Sequence, residues 1–68
     1  MVKYAYFSEL LIVYGNKYRS NKDVSRGLSK AELLYYRGSY KECFSLLLKV
    51  IKLIDNDLVT KINKLIKN

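Results

Sequence analysis

Apolar residues recur at helical spacing in the first third of the chain. One stripe follows positions i, i+3, i+4, i+7 and i+11, and its members are Phe7, Leu10, Leu11, Tyr14 and Tyr18. The stripe predicts a first helix over about residues 2–19. Further apolar residues widen the stripe, so this helix is expected to have neighbours on two sides; they are Tyr4, Tyr6, Ile12 and Val13.

Ser20 and Asp23 open the next periodic segment. Ser-x-x-Asp before an apolar run is typical of a capping box, and it predicts a second helix over about residues 21–37. The apolar stripe of this helix is expected to contain Val24, Leu28, Ala31, Leu34 and Tyr35. Gly27 lies inside the helix, where glycine costs about 1 kcal/mol relative to alanine. Close packing against the first helix is one candidate reason for it.

Gly38 predicts the end of the second helix, because glycine accepts the left-handed conformation found after helix C-termini. Ser39 and Glu42 form a second capping-box pattern, which predicts a third helix over about residues 40–54. Its apolar face is expected to contain Tyr40, Cys43, Phe44, Leu47, Val50, Ile51 and Ile54. The short turn at Gly38 makes the second and third helices antiparallel.

The run Asp55-Asn56-Asp57 predicts a break or a cap, and a short fourth helix over about residues 57–67 is expected after it. Its apolar positions are Leu58, Ile62, Leu65 and Ile66, with Lys61, Lys64 and Lys67 between them. No segment alternates at period two, so strands are not expected. The predicted fold class is all-α: one domain over residues 1–68, a helical hairpin or a bundle of three to four helices with spectrin-like or tetratricopeptide-like packing.

Cysteine and histidine content argues against several kinds of chemistry. Cys43 is the one cysteine, so no intramolecular disulfide forms, and it is expected in the core. Histidine is absent, which removes the commonest general base and an ordinary zinc ligand. The carboxylates are explained by caps and exposed faces. We therefore expect no catalytic residues, no metal, no cofactor and no enzymatic activity.

The net charge of +7 favours an acidic partner, such as nucleic acid, anionic lipid or an acidic protein segment. No apolar run approaches the roughly 18 residues that a membrane span requires. The chain as given is expected to be soluble, with any membrane anchor outside it. Broad apolar stripes on the first and third helices make self-association an open alternative.

Polar hydrogen-bonding groups and aromatic rings concentrate in the run Asn16-Lys17-Tyr18-Arg19. Asparagine both donates and accepts, arginine offers a planar fork of donors, and tyrosine and arginine are favoured at protein interfaces. The run predicts a docking patch for an acidic partner. The alternative is an ordinary solvated helix end whose cations complement the helix dipole.

The stretch around this patch resembles the C-terminal part of the septation ring formation regulator family. Tyr14, Gly15, Asn16, Tyr18 and Arg19 match the family's aromatic, small, Asn, Tyr and Arg positions, whereas Lys17 replaces an arginine and Val13 replaces a glutamine. Further matches over about residues 9–54 are Val24, Leu28, Ala31, Glu32, Tyr40 and Cys43.

The resemblance implies a function. The family consists of membrane-anchored bacterial proteins that restrain assembly of the tubulin-like division protein. The chain would then be a C-terminal fragment of a longer coiled protein, located at the division site on the cytoplasmic face of the membrane. Its partner would be the tubulin-like protein or another division protein. The residues expected to make the contact are Tyr14, Asn16, Lys17, Tyr18 and Arg19.

Two other functions remain open. The basic residues of the fourth helix suit a nucleic-acid-binding module, although arginine is absent there. Gly38, Tyr40 and Cys43 have the spacing of a tetratricopeptide hairpin, which suggests a protein-interaction adaptor. Such repeats need about three copies to bury a continuous core, and one copy fits here.

Overall fold

The computed structural model describes the backbone of residues 2–67 and the side chains of residues 3–65. It contains helices α1 (Val2–Asn16), α2 (Lys22–Tyr36), α3 (Tyr40–Ile54) and α4 (Asn56–Lys67), and no strand within the described backbone. The predicted all-α class is confirmed. Helix α3 lies in the middle and packs against the other three helices, while α1 also packs against α2.

The core lies mainly between α2 and α3, and α1 and α4 each contribute to it. Its buried apolar residues are Leu11, Val24, Leu28, Ala31, Cys43, Phe44, Leu47, Val50, Ile51, Val59 and Ile62. The predicted stripes of α2 and α3 are therefore confirmed at their central positions. Tyr4 and Phe7 extend the core from α1, with ring centroids 5.4 and 6.2 Å from the ring of Phe44.

Helix α1 buries only part of the predicted stripe. Leu11 is buried, and Phe7 and Tyr14 pack against the core, as expected. Leu10 is 48% exposed, while Ser8, Leu11 and Gly15 are buried. These three residues lie at i, i+3 and i+7, and two of them are small. The prediction for Leu10 is wrong because small residues let α1 approach its neighbours, and a count of apolar residues overlooks them.

Two glycines lie where helices approach most closely. A Cβ built on Gly15 of α1 would lie 2.7 Å from Cδ2 of Leu28 in α2, and a Cβ built on Gly27 of α2 would overlap Cγ2 of Val50 in α3. Gly27 thus permits close packing, as expected, but its neighbour is α3 and not the predicted first helix. Gly15 is the glycine that permits close packing of α1 against α2.

The turn after α2 ends the helix as the sequence predicts. Gly38 has φ +84°, the left-handed conformation that glycine adopts at little cost. The backbone N–H of Ser39 donates to the carbonyl of Leu34 at 2.9 Å, and that of Gly38 donates to Tyr35 at 3.1 Å. These two bonds constitute a Schellman motif, which satisfies carbonyl groups at the helix end.

The two predicted capping boxes do not form. The N-cap of α2 is Asn21, whose Oδ1 accepts from the backbone N–H groups of Asp23 and Val24 at 3.0 and 3.3 Å, so the assignment of Ser20 is wrong by one residue. Asparagine caps as well as serine does. Ser39 is the N-cap of α3 as expected, but its side chain makes no capping hydrogen bond.

Helix α1 ends three residues before the predicted boundary. The N–H of Tyr18 donates to the carbonyl of Gly15 at 2.9 Å, and that of Asn21 donates to Tyr18 at 3.1 Å. Both bonds span three residues and belong to turns, not to an α-helix. Residues 17–20 therefore form a turn that leads directly to the cap of α2.

Asp55 separates α3 from α4, which confirms the predicted break. Its backbone N–H donates to Ile51, and its Oδ1 accepts from the N–H of Leu58 at 3.2 Å. Ile62 is buried as predicted, whereas Leu65 is 59% exposed and Val59, which was not among the predicted positions, is buried. The side chains of Ile66 and Lys67, which were also assigned to this helix, lie outside the described residues. Within residues 2–67, no helix combines the length and apolar character needed to cross a membrane.

Replacement of Gly27 by alanine tests the α2–α3 contact. The added methyl group would overlap Val50, whose β-branched side chain has few alternative rotamers. Overpacking costs roughly 1–3 kcal/mol, whereas the gain in helix propensity is about 1 kcal/mol. We expect Gly27→Ala to lower the free energy of unfolding, measured by urea denaturation, and Val50→Ala to restore part of the loss in the double variant. An increase in stability from Gly27→Ala alone would contradict this packing.

Candidate functional site

The predicted docking residues lie where α1 meets the turn to α2. Tyr14 and Asn16 belong to the last turn of α1, and Lys17, Tyr18 and Arg19 belong to the turn itself. We call these five residues the 14–19 patch. Some of these side chains are held by contacts with the rest of the molecule, and the others are exposed to solvent.

Arg19 anchors the patch to the rest of the molecule. Its Nη2 donates to Oε1 of Glu32 in α2 at 2.7 Å, and its Nε donates to Oδ1 of Asn16 at 2.7 Å. The guanidinium fork thus joins the end of α1, the turn and α2, a geometry that lysine could not reproduce. Both charged side chains are 34% exposed, so the pair is worth at most about 1 kcal/mol. The ion pair therefore matters because it holds the turn in place against α2.

Glu32 is a member of the site that the patch pattern does not predict. It lies thirteen positions after Arg19 and reaches it because α2 runs back along α1. The family resemblance did place a glutamate here, but as a structural position. Among residues 3–65, Arg19 and Glu32 form the one ion pair, so the cations elsewhere on this surface have no carboxylate partner.

Tyr14 supports the patch from below. Its ring lies 5.6 Å from that of Tyr18, and the two planes are tilted by 42°. The Tyr18 hydroxyl, partial burial and the negative charge of Asp55 together raise the pKa of Tyr14 above its ordinary value. The ring pair therefore connects the turn with the last turn of α1, and Tyr14 stays protonated at neutral pH.

Lys17 and Tyr18 are the outward members of the 14–19 patch. Lys17 is exposed, and Tyr18 is 39% exposed although its ring packs on Tyr14. Asn16 is also exposed, with its side-chain oxygen committed to Arg19. A partner would thus meet an ammonium group and a half-exposed phenol on a turn whose flanks are hydrogen-bonded.

A groove between α1 and α2 adjoins the patch through Glu32. It encloses about 200 Å³ and is lined by Glu9, Ile12, Val13, Glu32, Tyr35 and Tyr36. Val13 and Tyr36 are 61% and 82% exposed, so the rim of the groove is open to solvent. Burial, together with the charge of Glu9, raises the pKa of Tyr35. The sequence pattern did not predict this groove, because it depends on how α1 is rotated against α2.

Cys43 is buried, as expected for a core residue. Its Sγ donates to the carbonyl of Ala31 at 3.1 Å. Burial raises the pKa of the thiol, and the adjacent Ser8 hydroxyl opposes that rise to a smaller extent. A reactive cysteine needs an accessible thiolate. Cys43 is therefore a packing residue that joins α3 to α2.

Replacement of Glu32 by glutamine tests the anchoring of the turn. The substitution preserves shape and removes the charge that holds Arg19. We expect a loss of about 0.5 kcal/mol in unfolding free energy and faster amide hydrogen exchange at residues 17–20. Glu42→Gln is the matched control, because Glu42 is exposed and outside the pair. Equal exchange in the two variants would show that the ion pair does not order the turn.

Alkaline pH tests the environment of Tyr14. Because its pKa is raised in the folded state, the unfolded state loses the phenolic proton first, near pH 10. Stability is thus fully present below about pH 10 and falls as pH rises through the folded-state pKa. We expect Tyr14→Phe to make this fall shallower in denaturation series across alkaline pH. An unchanged slope would contradict the raised pKa.

Of the three comparisons with known proteins, the one with family models gives a match. The family model described as Septation ring formation regulator, EzrA, matches residues 1–66, a longer span than the resemblance over residues 9–54. Among curated proteins and among solved structures, none gives a significant match. The family match covers all four helices except the last residue of α4. This chain belongs to the EzrA family of septation ring formation regulators.

Proposed function

We propose that this chain regulates septation ring assembly as a non-catalytic contact module, and that its 14–19 patch binds the tubulin-like division protein. The observation that supports the patch is the double hydrogen bond of Arg19 to Asn16 and Glu32. It fixes the turn from both sides and leaves Lys17 and Tyr18 accessible. The contact therefore depends on two kinds of residue, those that shape the turn and those that touch the partner.

A turn of this kind is suited to binding because its shape exists before the partner arrives. Ordering a flexible loop on binding costs roughly 0.5–1.5 kcal/mol for each immobilised side chain. Because Arg19 and the Tyr14–Tyr18 ring pair already order the turn in the folded chain, less conformational entropy is lost when a partner binds. Tyr18 then supplies a rigid amphipathic surface, and Lys17 supplies a charge for a carboxylate of the partner.

The titration of the described side chains supports action by contact and not by catalysis. A general acid or base works best with a pKa near the ambient pH. The groups with shifted values are Tyr14, Tyr35 and Cys43, and each pKa is raised, away from neutrality. These groups are suited to packing and hydrogen bonding as neutral side chains.

The proposed setting is the division site on the cytoplasmic face of the bacterial membrane. There the chain would act as one part of a longer, coiled, membrane-anchored parent protein. The family supports the role at septation, and the membrane attachment belongs to the proposal. The unpaired apolar surface of the α1–α2 groove would remain available for self-association.

Removal of the two outward side chains tests the proposed contact. We expect Lys17→Ala with Tyr18→Ala to weaken binding to the purified tubulin-like division protein about tenfold or more, since truncation of a tyrosine that is a binding hot spot costs about 2 kcal/mol or more. Fluorescence anisotropy of the labelled chain measures the affinity. Lys64→Ala with Tyr36→Ala is the matched control, because it removes the same residue types from other exposed positions.

The comparison of the two variants shows whether the contact is specific to the 14–19 patch. If the control pair weakens binding as much as the patch pair, the effect is one of general charge and apolar surface. If the patch pair binds like the native chain, the patch is not the contact. Circular dichroism spectra show whether each variant keeps its helices, and only variants with native helicity are compared.

A further inference from the structure

A second groove, between α2 and α3, carries a charge opposite to that of the α1–α2 groove. It encloses about 390 Å³ and is lined by Lys30, Leu34, Lys41, Glu42, Ser45, Leu46 and Lys49. Its three lysines are all exposed, and its two leucines are half-buried. The groove is shallow and open to solvent, so it suits one side of an elongated ligand and not an enclosed small molecule. We call this surface the α2–α3 groove.

Its charges are arranged along both walls. Lys30 belongs to α2, whereas Lys41 and Lys49 belong to α3, about 12 Å apart along the helix axis. Three ammonium groups face one carboxylate, that of Glu42, so the groove is positive. Among the side chains of residues 3–65, none of these lysines has a carboxylate within ion-pair distance.

The positive surface continues along α2 towards its N-terminus. Lys22 and Arg26 precede Lys30 at intervals of four residues, so all three lie on one helical face. Lys22 and Arg26 line an adjoining hollow together with the hydroxyl-bearing Ser25 and Ser29. A cationic track therefore leads into the α2–α3 groove from one end.

From these observations we propose that the α2–α3 groove binds an acidic amphipathic peptide segment of a partner protein. Leu34 and Leu46 form a partly apolar floor, and the lysines form cationic walls. A helix with apolar residues on one face and flanking glutamates matches both features. This site is separate from the 14–19 patch, and it does not depend on the function proposed for that patch.

Three other kinds of partner fit the groove less well. A nucleic-acid backbone presents phosphates but no apolar group to cover the leucine floor. An anionic membrane surface is broad, whereas these lysines line the two sides of a cleft. A second copy of this chain brings the same net charge of +7, which disfavours its approach to this positive groove. Charge and floor together favour the acidic peptide.

Binding of a defined probe tests the proposal. The probe is a fluorescein-labelled peptide of three Glu-Glu-Leu-Leu repeats, and its affinity for the full chain is measured by fluorescence anisotropy. We expect saturable binding that weakens as salt is raised, because exposed charges are screened. A peptide of Glu-Glu-Ser-Ser repeats, with the same charge and no apolar face, is expected to bind about tenfold more weakly. Equal binding of the two peptides would overturn the role of the leucine floor.

Charge reversal then locates the site. Lys30→Glu with Lys49→Glu is expected to weaken probe binding about tenfold or more, since two favourable ion pairs become repulsive. Lys61→Glu with Lys64→Glu, on α4, is the matched control because it changes the net charge by the same amount. Equal weakening by the two pairs would mean diffuse attraction and would overturn the proposal. Lys30→Gln with Lys49→Gln gives the same comparison if charge reversal disturbs folding.

Two further probes separate the partner classes. Labelled single-stranded DNA and vesicles of phosphatidylglycerol are titrated with the same variants. Tighter binding of either probe than of the acidic peptide, lost on reversal of Lys30 and Lys49, would assign the groove to nucleic acid or to the membrane and overturn the peptide proposal. Peptide binding alone, confined to that pair of lysines, is the result expected.

Discussion

The close contact between α2 and α3 determines where almost everything else lies. Gly27 lets the backbone of α2 approach Val50, and one turn further on the carbonyl of Ala31 accepts the thiol of Cys43. Helix α1 packs against both α2 and α3, with Gly15 on Leu28, and α4 packs against α3. Glycine at the α1–α2 contact and at the α2–α3 contact helps a chain this short to bury a continuous core.

The position of the 14–19 patch follows from that packing. Ala31 is buried against α3, whereas Glu32 lies about 100° further round α2, on the side towards α1, where it receives Arg19. The turn between α1 and α2 is short, and it is tied at both ends by hydrogen bonds. Fold and patch are therefore coupled: a shift of α2 would move the anchor of the turn.

The sequence predicts those features that depend on local chemistry. Gly38 ends α2 because the conformation it needs is local, and the stripes of α2 and α3 are predicted because apolar periodicity reports burial directly. The cap at Asn21 was assigned to Ser20 because both side chains can accept the same N–H groups. Features that need packing were not predictable: the partner of Gly27, the exposure of Leu10, and the bond from Arg19 to Glu32 across thirteen positions.

Folding presents Lys17 and Tyr18 on an anchored turn, and we propose that the division protein contacts them there. Backbone amide NMR of the isotopically labelled chain, titrated with the tubulin-like division protein, tests it most directly. The account predicts that the largest changes in amide chemical shift or intensity occur at residues 16–19, with small changes along α4. Changes concentrated on Lys61 and Lys64, or on the α2–α3 groove, with residues 16–19 unaffected, would contradict it.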